Sequence, residues 1–173
     1  AMIAEPVMGA GGVIIPPEGY FEALQKVLKK HSILLIADEV ICGFGRTGNM
    51  WGSETFGLKP DILTCAKALS SAYLPISAVM VSSEVVRGVE EQATKLGIFG
   101  HGYTYSAHPV SAAVALRTLE LMKERNIVDN VKKVSQKFCD RVHKLSKYKC
   151  IGDTRAVGLI GAIECVAIPD SRV

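Results

Sequence analysis

The stretch Ile33-Leu34-Leu35-Ile36-Ala37, followed directly by Asp38-Glu39, decides the fold class of this 173-residue chain. An uninterrupted aliphatic run, without alternating polar residues, is typical of a parallel strand that is buried on both faces. In open α/β sheets, ligands collect at the carboxyl ends of such strands. The two acids at the end of this run are therefore the first candidates for a functional site.

The segments on both sides of this run extend the same pattern. Residues 1–4 form an apolar strand candidate, and residues 16–18 (Pro-Pro-Glu) are typical of a helix start. Further along the chain, residues 61–64 and 76–82 are two more strand candidates, with Lys67 on the turn between them. Strands that alternate with a helix predict an α/β fold with a mostly parallel sheet.

The last part of the chain has a different pattern, which sets the predicted domain boundary. An alanine-rich helix is expected from Pro109, and a second helix has apolar residues at three- and four-residue intervals between Val128 and Leu145. Strand candidates follow at 151–152 and 159–163. We expect residues 1–123 to belong to a large domain and residues 124–173 to begin a smaller α+β domain.

The composition excludes several classes of protein. A net charge of +3, with no run of Lys or Arg longer than two, favours neither a nucleic acid nor a membrane surface as partner. No apolar run approaches the roughly 20 residues that span a bilayer. The cysteines are odd in number and widely spaced, which fits neither a disulfide framework nor a zinc site and favours a reducing compartment such as the cytoplasm or a mitochondrion. They are Cys42, Cys65, Cys139, Cys150 and Cys165.

The glycine-rich stretch at residues 43–48 (Gly-Phe-Gly-Arg-Thr-Gly) matches the dinucleotide fingerprint G-x-G-x-x-G. That fingerprint requires a strand running into the first glycine and a helix opening at the third. Here carboxylates follow the strand, and Gly52, Gly57 and Pro60 leave little room for a crossover helix. We therefore favour a flexible surface loop over a dinucleotide-binding oxidoreductase. Arg46 is either a carboxylate partner or a solvated loop residue.

Lys67 lies among small and apolar residues, in the stretch 64–71 (Thr-Cys-Ala-Lys-Ala-Leu-Ser-Ser). Surroundings of low dielectric favour the neutral, nucleophilic amine, which suits Schiff-base chemistry with a carbonyl group. The structural alternative is a strand-end lysine whose stem covers apolar surface. For Asp38, the structural alternative is an aspartate that caps a turn.

Taken together, four stretches of the chain resemble the class III aminotransferases, which are pyridoxal 5'-phosphate enzymes of the type I fold. The stretches are residues 4–12 (Ala-Glu-Pro-Val-x-Gly-x-Gly-Gly), 36–48, 66–71 and 101–106. The likeness covers nearly the whole chain, in register and in order. Within the family, the chain resembles the omega-aminotransferases, which move amino groups from omega-amino acids or amines, often to pyruvate. Such enzymes are more than twice as long, and this chain resembles the middle of one.

The resemblance implies a role for each candidate residue. Lys67 is the Schiff-base lysine and also moves the proton, Asp38 pairs with the pyridinium nitrogen, and Val40 packs on the ring face from the same side of the strand end. Thr104 reaches the phosphate of the cofactor bound by a partner subunit, which implies a homodimer with shared active sites. Glu5 lies near the site without a firm role. The partners implied are a small-molecule amino donor and a keto-acid acceptor.

The chain also departs from the family pattern. Ala10 stands where many members have glutamate and Ile41 where many have glutamine, and both changes favour the omega group. Where a backbone needs a positive φ or a close approach to the cofactor, a Cβ in place of glycine costs on the order of 1 kcal/mol or more. This concerns four positions at which relatives usually have glycine, namely Ala72, Ser77, Ala107 and Ala156.

Alternative functions remain open at this point. A class III decarboxylase or aminomutase would use the same residues, and a degenerate homologue would keep the fold as a dimerising module without turnover. We expect the complete chain, rather than this piece of it, to carry the activity.

Overall fold

A four-stranded sheet organises the first part of the chain, in the spatial order β1 (Met2–Ala4), β2 (Leu35–Asp38), β3 (Ile62–Cys65) and β4 (Ala78–Val81). Strands β1, β2 and β3 are parallel, whereas β4 is antiparallel to β3. The computed structural model describes residues 1–167; residues 168–173, which belong to the predicted start of the second domain, lie outside the described residues. The predicted α/β fold with a mostly parallel sheet is confirmed.

The helices are α1 (Tyr20–Lys30), α2 (Gly52–Phe56), α3 (Ser83–Leu96), α4 (Pro109–Glu124) and α5 (Ile127–His143). Helix α1 begins at Tyr20 and not at the predicted residues 16–18, because Gly19 has a φ of 77° and interrupts the helical path. Helix α4 starts at Pro109 as predicted, since proline is tolerated in the first turn. The sequence analysis did not predict α2 or α3.

One face of the sheet is packed and the other is open. The packed face carries Leu35, Ala37, Leu63 and Cys65, which are buried in clusters that include residues of α1 and α4. On the opposite face, Ile3, Val79 and Val81 are 58%, 64% and 43% exposed. The expectation of a β2 strand buried on both faces is therefore wrong for the described residues, because burial along β2 alternates.

The end of the described chain is an antiparallel hairpin of β5 (Ile151–Val157) and β6 (Ile160–Cys165). Val157, Ile160 and Ala162 pack against a buried cluster that contains Val7 and Cys42. The predicted strands are thus present, and the domain boundary at residues 123 and 124 stays a prediction. Among residues 1–167, no helix has both the length and the apolar character needed to cross a bilayer.

Candidate active site

Asp38 and Lys67 lie at the same edge of the sheet. Asp38, the last residue of β2, is in register with Thr64 on the parallel strand β3. Lys67 lies two residues after the end of β3, at the start of a short 3₁₀ turn. Because both strands run in the same direction, their carboxyl ends bring the carboxylate and the amine to one edge, where ligands bind in open α/β sheets.

Asp38 is half-buried and caps the turn that ends β2. Its Oδ1 accepts a hydrogen bond from the backbone N–H of Val40 at 3.1 Å. Such Asx turns redirect the chain, so Val40 lies in a turn. The expectation that Val40 continues an extended strand on the same side as Asp38 is wrong: the two residues line different cavities.

The cavity beside Asp38 has a volume of about 480 Å³ and contains a second carboxylate, that of Glu5. Glu5 Oε2 accepts a hydrogen bond from the N–H of Gly9 at 2.9 Å and so holds the loop that follows β1. Most of the remaining wall is apolar, with Ile3, Met8, Ile14, Tyr20 and Phe21 among its residues. The cavity thus combines acidic groups with surface suited to a flat apolar ring.

The cavity beside Lys67 has a volume of about 690 Å³ and is shared with Val40. The Lys67 side chain is exposed, and no hydrogen bond or ion pair joins it to another described residue. The expectation of low-dielectric surroundings is therefore wrong for the described part of the chain. The backbone of Lys67 has a φ of 48°, in the left-handed region that non-glycine residues seldom occupy. Such strain is concentrated at functional sites.

Three carboxylates give this edge of the sheet a negative character. Burial raises the pKa of the Cys42 thiol to about 11, and the negative charges of Glu39, Glu5 and Asp38 add to the increase, against the opposing effect of its hydrogen bond to the Val7 carbonyl. The three negative charges favour a nearby cation, since their potential acts on it with the opposite sign, whereas burial itself disfavours a charge of either sign. A protonated ring nitrogen would be stabilised here.

The glycine-rich stretch at residues 43–48 is packed, so the expectation of a flexible surface loop is wrong. Every residue in it except Arg46 is buried. The Thr47 hydroxyl is hydrogen-bonded to that of Thr55 on α2 at 2.7 Å. Helix α2 begins only at Gly52, so no helix opens at Gly48. The geometry that a dinucleotide site requires is missing here.

Arg46 is exposed and lines the Lys67 cavity, with Nη1 donating to the Leu159 carbonyl at 3.4 Å. Its assignment as a carboxylate partner stays a prediction. Thr104 lies apart from the other candidates, in an exposed segment that borders a third cavity of about 990 Å³. Neither Lys67 nor Asp38 lines that cavity. The predicted contact of Thr104 with a partner's cofactor stays a prediction.

Two of the four positions expected to favour glycine do have a left-handed backbone. The φ angle is 63° at Ala72 and 56° at Ala107, which confirms the expectation there. Ser77 and Ala156 do not have a positive φ, and Ala156 lies within β5, so for these two residues only a close approach of the backbone to the cofactor stays a prediction.

Glu39 is a buried residue of this site whose hydrogen-bond partners the sequence analysis did not predict. Its side chain is completely buried, and its carboxylate accepts hydrogen bonds at the start of α2. The signal was present, because a charged residue directly after a buried strand needs partners. The identity of those partners was not readable, since α2 itself was not predicted.

The fold is that of an aminotransferase: the family model for class-III aminotransferases matches residues 1–172, and the chain belongs to that family. It is 57% identical over 164 residues to gamma aminobutyrate transaminase 3, chloroplastic, of Solanum lycopersicum. It is 54% identical over 166 residues to a probable gamma-aminobutyrate transaminase 3, mitochondrial, of Oryza sativa subsp. indica. The alignments cover 95% and 96% of this chain but 32% of each relative, so the chain spans about a third of their length.

Solved structures agree with the family assignment and confirm the type I fold. The omega transaminase from Pseudomonas jessenii in complex with PMP has a TM-score of 0.96 and 47% identity, covering 100% of this chain and 38% of that one. A transaminase with L-ala has a TM-score of 0.95 and 50% identity, covering 98% of this chain and 40% of that one.

The cofactor of this family is pyridoxal 5'-phosphate, and the described residues fit its ring and aldehyde. The amine of Lys67 is exposed and forms no hydrogen bond or ion pair with another described residue. Asp38 offers a half-buried carboxylate that forms no ion pair within residues 1–167. The carboxylates of Asp38, Glu5 and Glu39 suit a protonated ring nitrogen, and Asp38 and Lys67 line separate cavities at this edge of the sheet.

Proposed function

We propose that the complete protein transfers an amino group from an omega-amino acid or amine to a 2-oxo acid such as pyruvate, using pyridoxal 5'-phosphate. The observation that carries the proposal is the position of Lys67 at the sheet edge where β2 ends in Asp38. Its amine forms no hydrogen bond or ion pair with another described residue. The names of the relatives support the donor class, because gamma-aminobutyrate is an omega-amino acid. The transaminase with L-ala supports the acceptor, because alanine is the aminated form of pyruvate.

Pyridoxal phosphate, when bound, supplies an aldehyde that accepts amino groups and a ring that takes up the electrons released when a C–H bond breaks. Lys67 would provide the amine for that aldehyde, because its Nζ is exposed and forms no hydrogen bond or ion pair with another described residue. Once free again, Nζ can take a proton from one carbon and return it to another. Asp38 holds the positive charge on the ring nitrogen, and its bond from the Val40 N–H fixes the carboxylate.

The proposal extends to assembly and location. Thr104, away from the Lys67 cavity, would contact the phosphate of a cofactor on the partner subunit of a homodimer. The relatives are named mitochondrial or chloroplastic, which supports one of these organelles for the complete protein. The free cysteines among the described residues fit a reducing compartment.

The test is chemical trapping on the complete protein loaded with pyridoxal phosphate. Borohydride should fix the cofactor to the peptide that contains Lys67, and gamma-aminobutyrate with pyruvate should yield alanine. Lys67→Ala should abolish both results, whereas Lys59→Ala, a control at another exposed lysine, should leave them unchanged. Trapping on a different lysine, or alanine formation by the Lys67→Ala protein, would remove Lys67 from its role.

A class III decarboxylase or aminomutase would use the same Lys67 and Asp38. Product analysis separates the three reactions, since a decarboxylase releases carbon dioxide, an aminomutase yields an isomerised donor, and the aminotransferase yields alanine without either. Carbon dioxide release or an isomerised donor, without alanine, would contradict the proposed transfer. A protein that binds the cofactor at Lys67 but converts nothing would be the degenerate homologue.

A further inference from the structure

Glu39 is a buried carboxylate located between the two residues that line the proposed cofactor cavities, Asp38 and Val40. Its exposed fraction is 0%, and none of the Lys, Arg or His residues within 1–167 forms an ion pair with it. Burying an unpaired charge is strongly unfavourable unless hydrogen bonds replace the lost water. The structure therefore keeps this carboxylate at the end of β2 only because it has specific partners.

The partners of the Glu39 side chain all belong to the first two residues of α2. Oε2 accepts a hydrogen bond from the N–H of Gly52 at 2.9 Å. Oε1 accepts one from the N–H of Ser53 at 2.6 Å and one from the Ser53 hydroxyl at 2.5 Å. Both oxygens are thus used, and the side chain fastens the start of α2 to the end of β2.

The backbone of Glu39 is held as firmly as its side chain. Its N–H donates to the Thr64 carbonyl on β3 at 2.9 Å, and its carbonyl accepts from the N–H of Gly43 at 2.9 Å. Residue 39 is therefore tied to β3, to α2 and to the glycine-rich stretch at the same time. The peptide group between residues 39 and 40 cannot rotate without breaking one of these bonds.

That peptide group carries the N–H of Val40, which is the donor to Asp38 Oδ1. Rotation of the peptide would release the Asp38 carboxylate from the turn. We propose that Glu39 is a positioning residue for Asp38: its anchorage on α2 holds the turn that aims the Asp38 carboxylate at the ring nitrogen of the cofactor. This inference rests on the proposed function. Its competitor is a purely structural role, in which Glu39 only stabilises α2.

Glu39→Gln tests the inference because it preserves shape but not hydrogen bonding. A glutamine has one acceptor oxygen and one NH₂ group, so whichever way it is placed, a donor faces the N–H of Gly52 or Ser53. Thr55→Val is the matched control: it removes the bonds of the Thr55 hydroxyl with Thr47 and Asn49, and so loosens α2 without touching residue 39.

The readout is the pH midpoint of the visible absorbance change of the complete protein with pyridoxal phosphate bound to Lys67. A protonated ring nitrogen repels a proton on the nitrogen that joins Lys67 to the cofactor, so losing it raises that midpoint. Asp38→Asn should raise the midpoint, and Glu39→Gln should raise it in the same direction by a smaller amount. Thr55→Val should leave the midpoint at the wild-type value. With Glu39→Gln, kcat should also fall by about 10-fold to 100-fold, the range produced by a small misplacement of a catalytic group.

A wild-type midpoint in Glu39→Gln, together with a loss of stability like that of Thr55→Val, would overturn the positioning role. If Glu39→Gln does not fold, Glu39→Asp takes its place, because it keeps both acceptor oxygens but is one methylene shorter. An unchanged midpoint in Glu39→Asp would likewise overturn the inference. Absence of the visible band in the wild-type protein would instead refute the proposed function and this inference with it, so the two failures are distinguishable.

Discussion

Replacement of Gly158 by alanine should separate two parts of the chain that lie far apart in sequence. Gly158 is buried in the turn between β5 and β6, with a φ of 57°. A Cβ at this position would lie 2.5 Å from the Arg46 carbonyl oxygen and 2.6 Å from Thr47 Cα. Both are backbone atoms, which cannot rotate away as a side chain could. The turn must therefore move away from the glycine-rich stretch.

The expected loss of stability has two parts. Holding alanine in a left-handed backbone costs about 1–2 kcal/mol. Alanine also reduces the conformational entropy of the unfolded chain, which offsets about 0.4–1 kcal/mol of that cost. Moving the turn also breaks the hydrogen bond from the Leu159 N–H to the Arg46 carbonyl, now 2.9 Å long. Losing a hydrogen bond in a buried place adds about 1–3 kcal/mol. Taken together, Gly158→Ala should lower the free energy of unfolding by about 1–5 kcal/mol.

Urea denaturation of the complete protein, followed by circular dichroism, measures this loss against a matched control. Gly57→Ala introduces a Cβ at a similar φ of 68°, but no heavy atom lies within 4 Å of it. The control therefore reports the left-handed strain alone, about 1 kcal/mol. A loss in Gly158→Ala no larger than that in Gly57→Ala would refute the close packing of the turn on the glycine-rich stretch.

Two further predictions concern the backbone and the buried thiol. Ala72→Gly and Ala107→Gly should each raise the free energy of unfolding by about 0.5–1 kcal/mol, because glycine relieves a left-handed φ at some cost in chain entropy. Ser77→Gly is the control, because Ser77 has no positive φ. An equal gain in stability for Ser77→Gly in urea denaturation would contradict the argument. The pKa of Cys42 is raised from 9.0 to about 11 on folding, so the unfolded thiol ionises first as pH rises; its contribution to stability is complete below pH 9 and is lost between pH 9 and pH 11. Between pH 9 and pH 11, the free energy of unfolding of Cys42→Ala should fall less than that of the wild type. Cys150→Ala, at an exposed cysteine, should follow the wild type. Parallel curves of unfolding free energy against pH for the wild type and Cys42→Ala would contradict the raised pKa of Cys42.

The elements that sequence could predict depend on local pattern. The aliphatic run of β2, the proline at the start of α4 and the spacing of apolar residues in α5 each identify an element from a few neighbouring residues. The common location of Asp38 and Lys67 was also predictable, because both follow strands of one parallel sheet. The sequence pattern was therefore enough to predict the sheet edge and the presence of Asp38 and Lys67 at it.

The features that were predicted wrongly depend on contacts that a local sequence pattern does not show. The glycine-rich stretch looked like a loose loop because glycine is common in loops, yet it is buried by the hairpin turn at Gly158, more than a hundred residues along the chain. Val40 looked extended because the aliphatic run precedes it, but the Asp38 carboxylate turns the chain there. Neither contact leaves a periodic signal in the sequence.

The packing of the β5–β6 turn on the glycine-rich stretch has a practical consequence for enzyme engineering. The hydrogen bond at its centre uses the main-chain N–H of Leu159, which every amino acid except proline can supply. The Leu159 side chain, meanwhile, lines the cavity of Lys67. Position 159 is thus a natural target for a saturation library that enlarges or narrows the amine pocket while the main-chain attachment is retained.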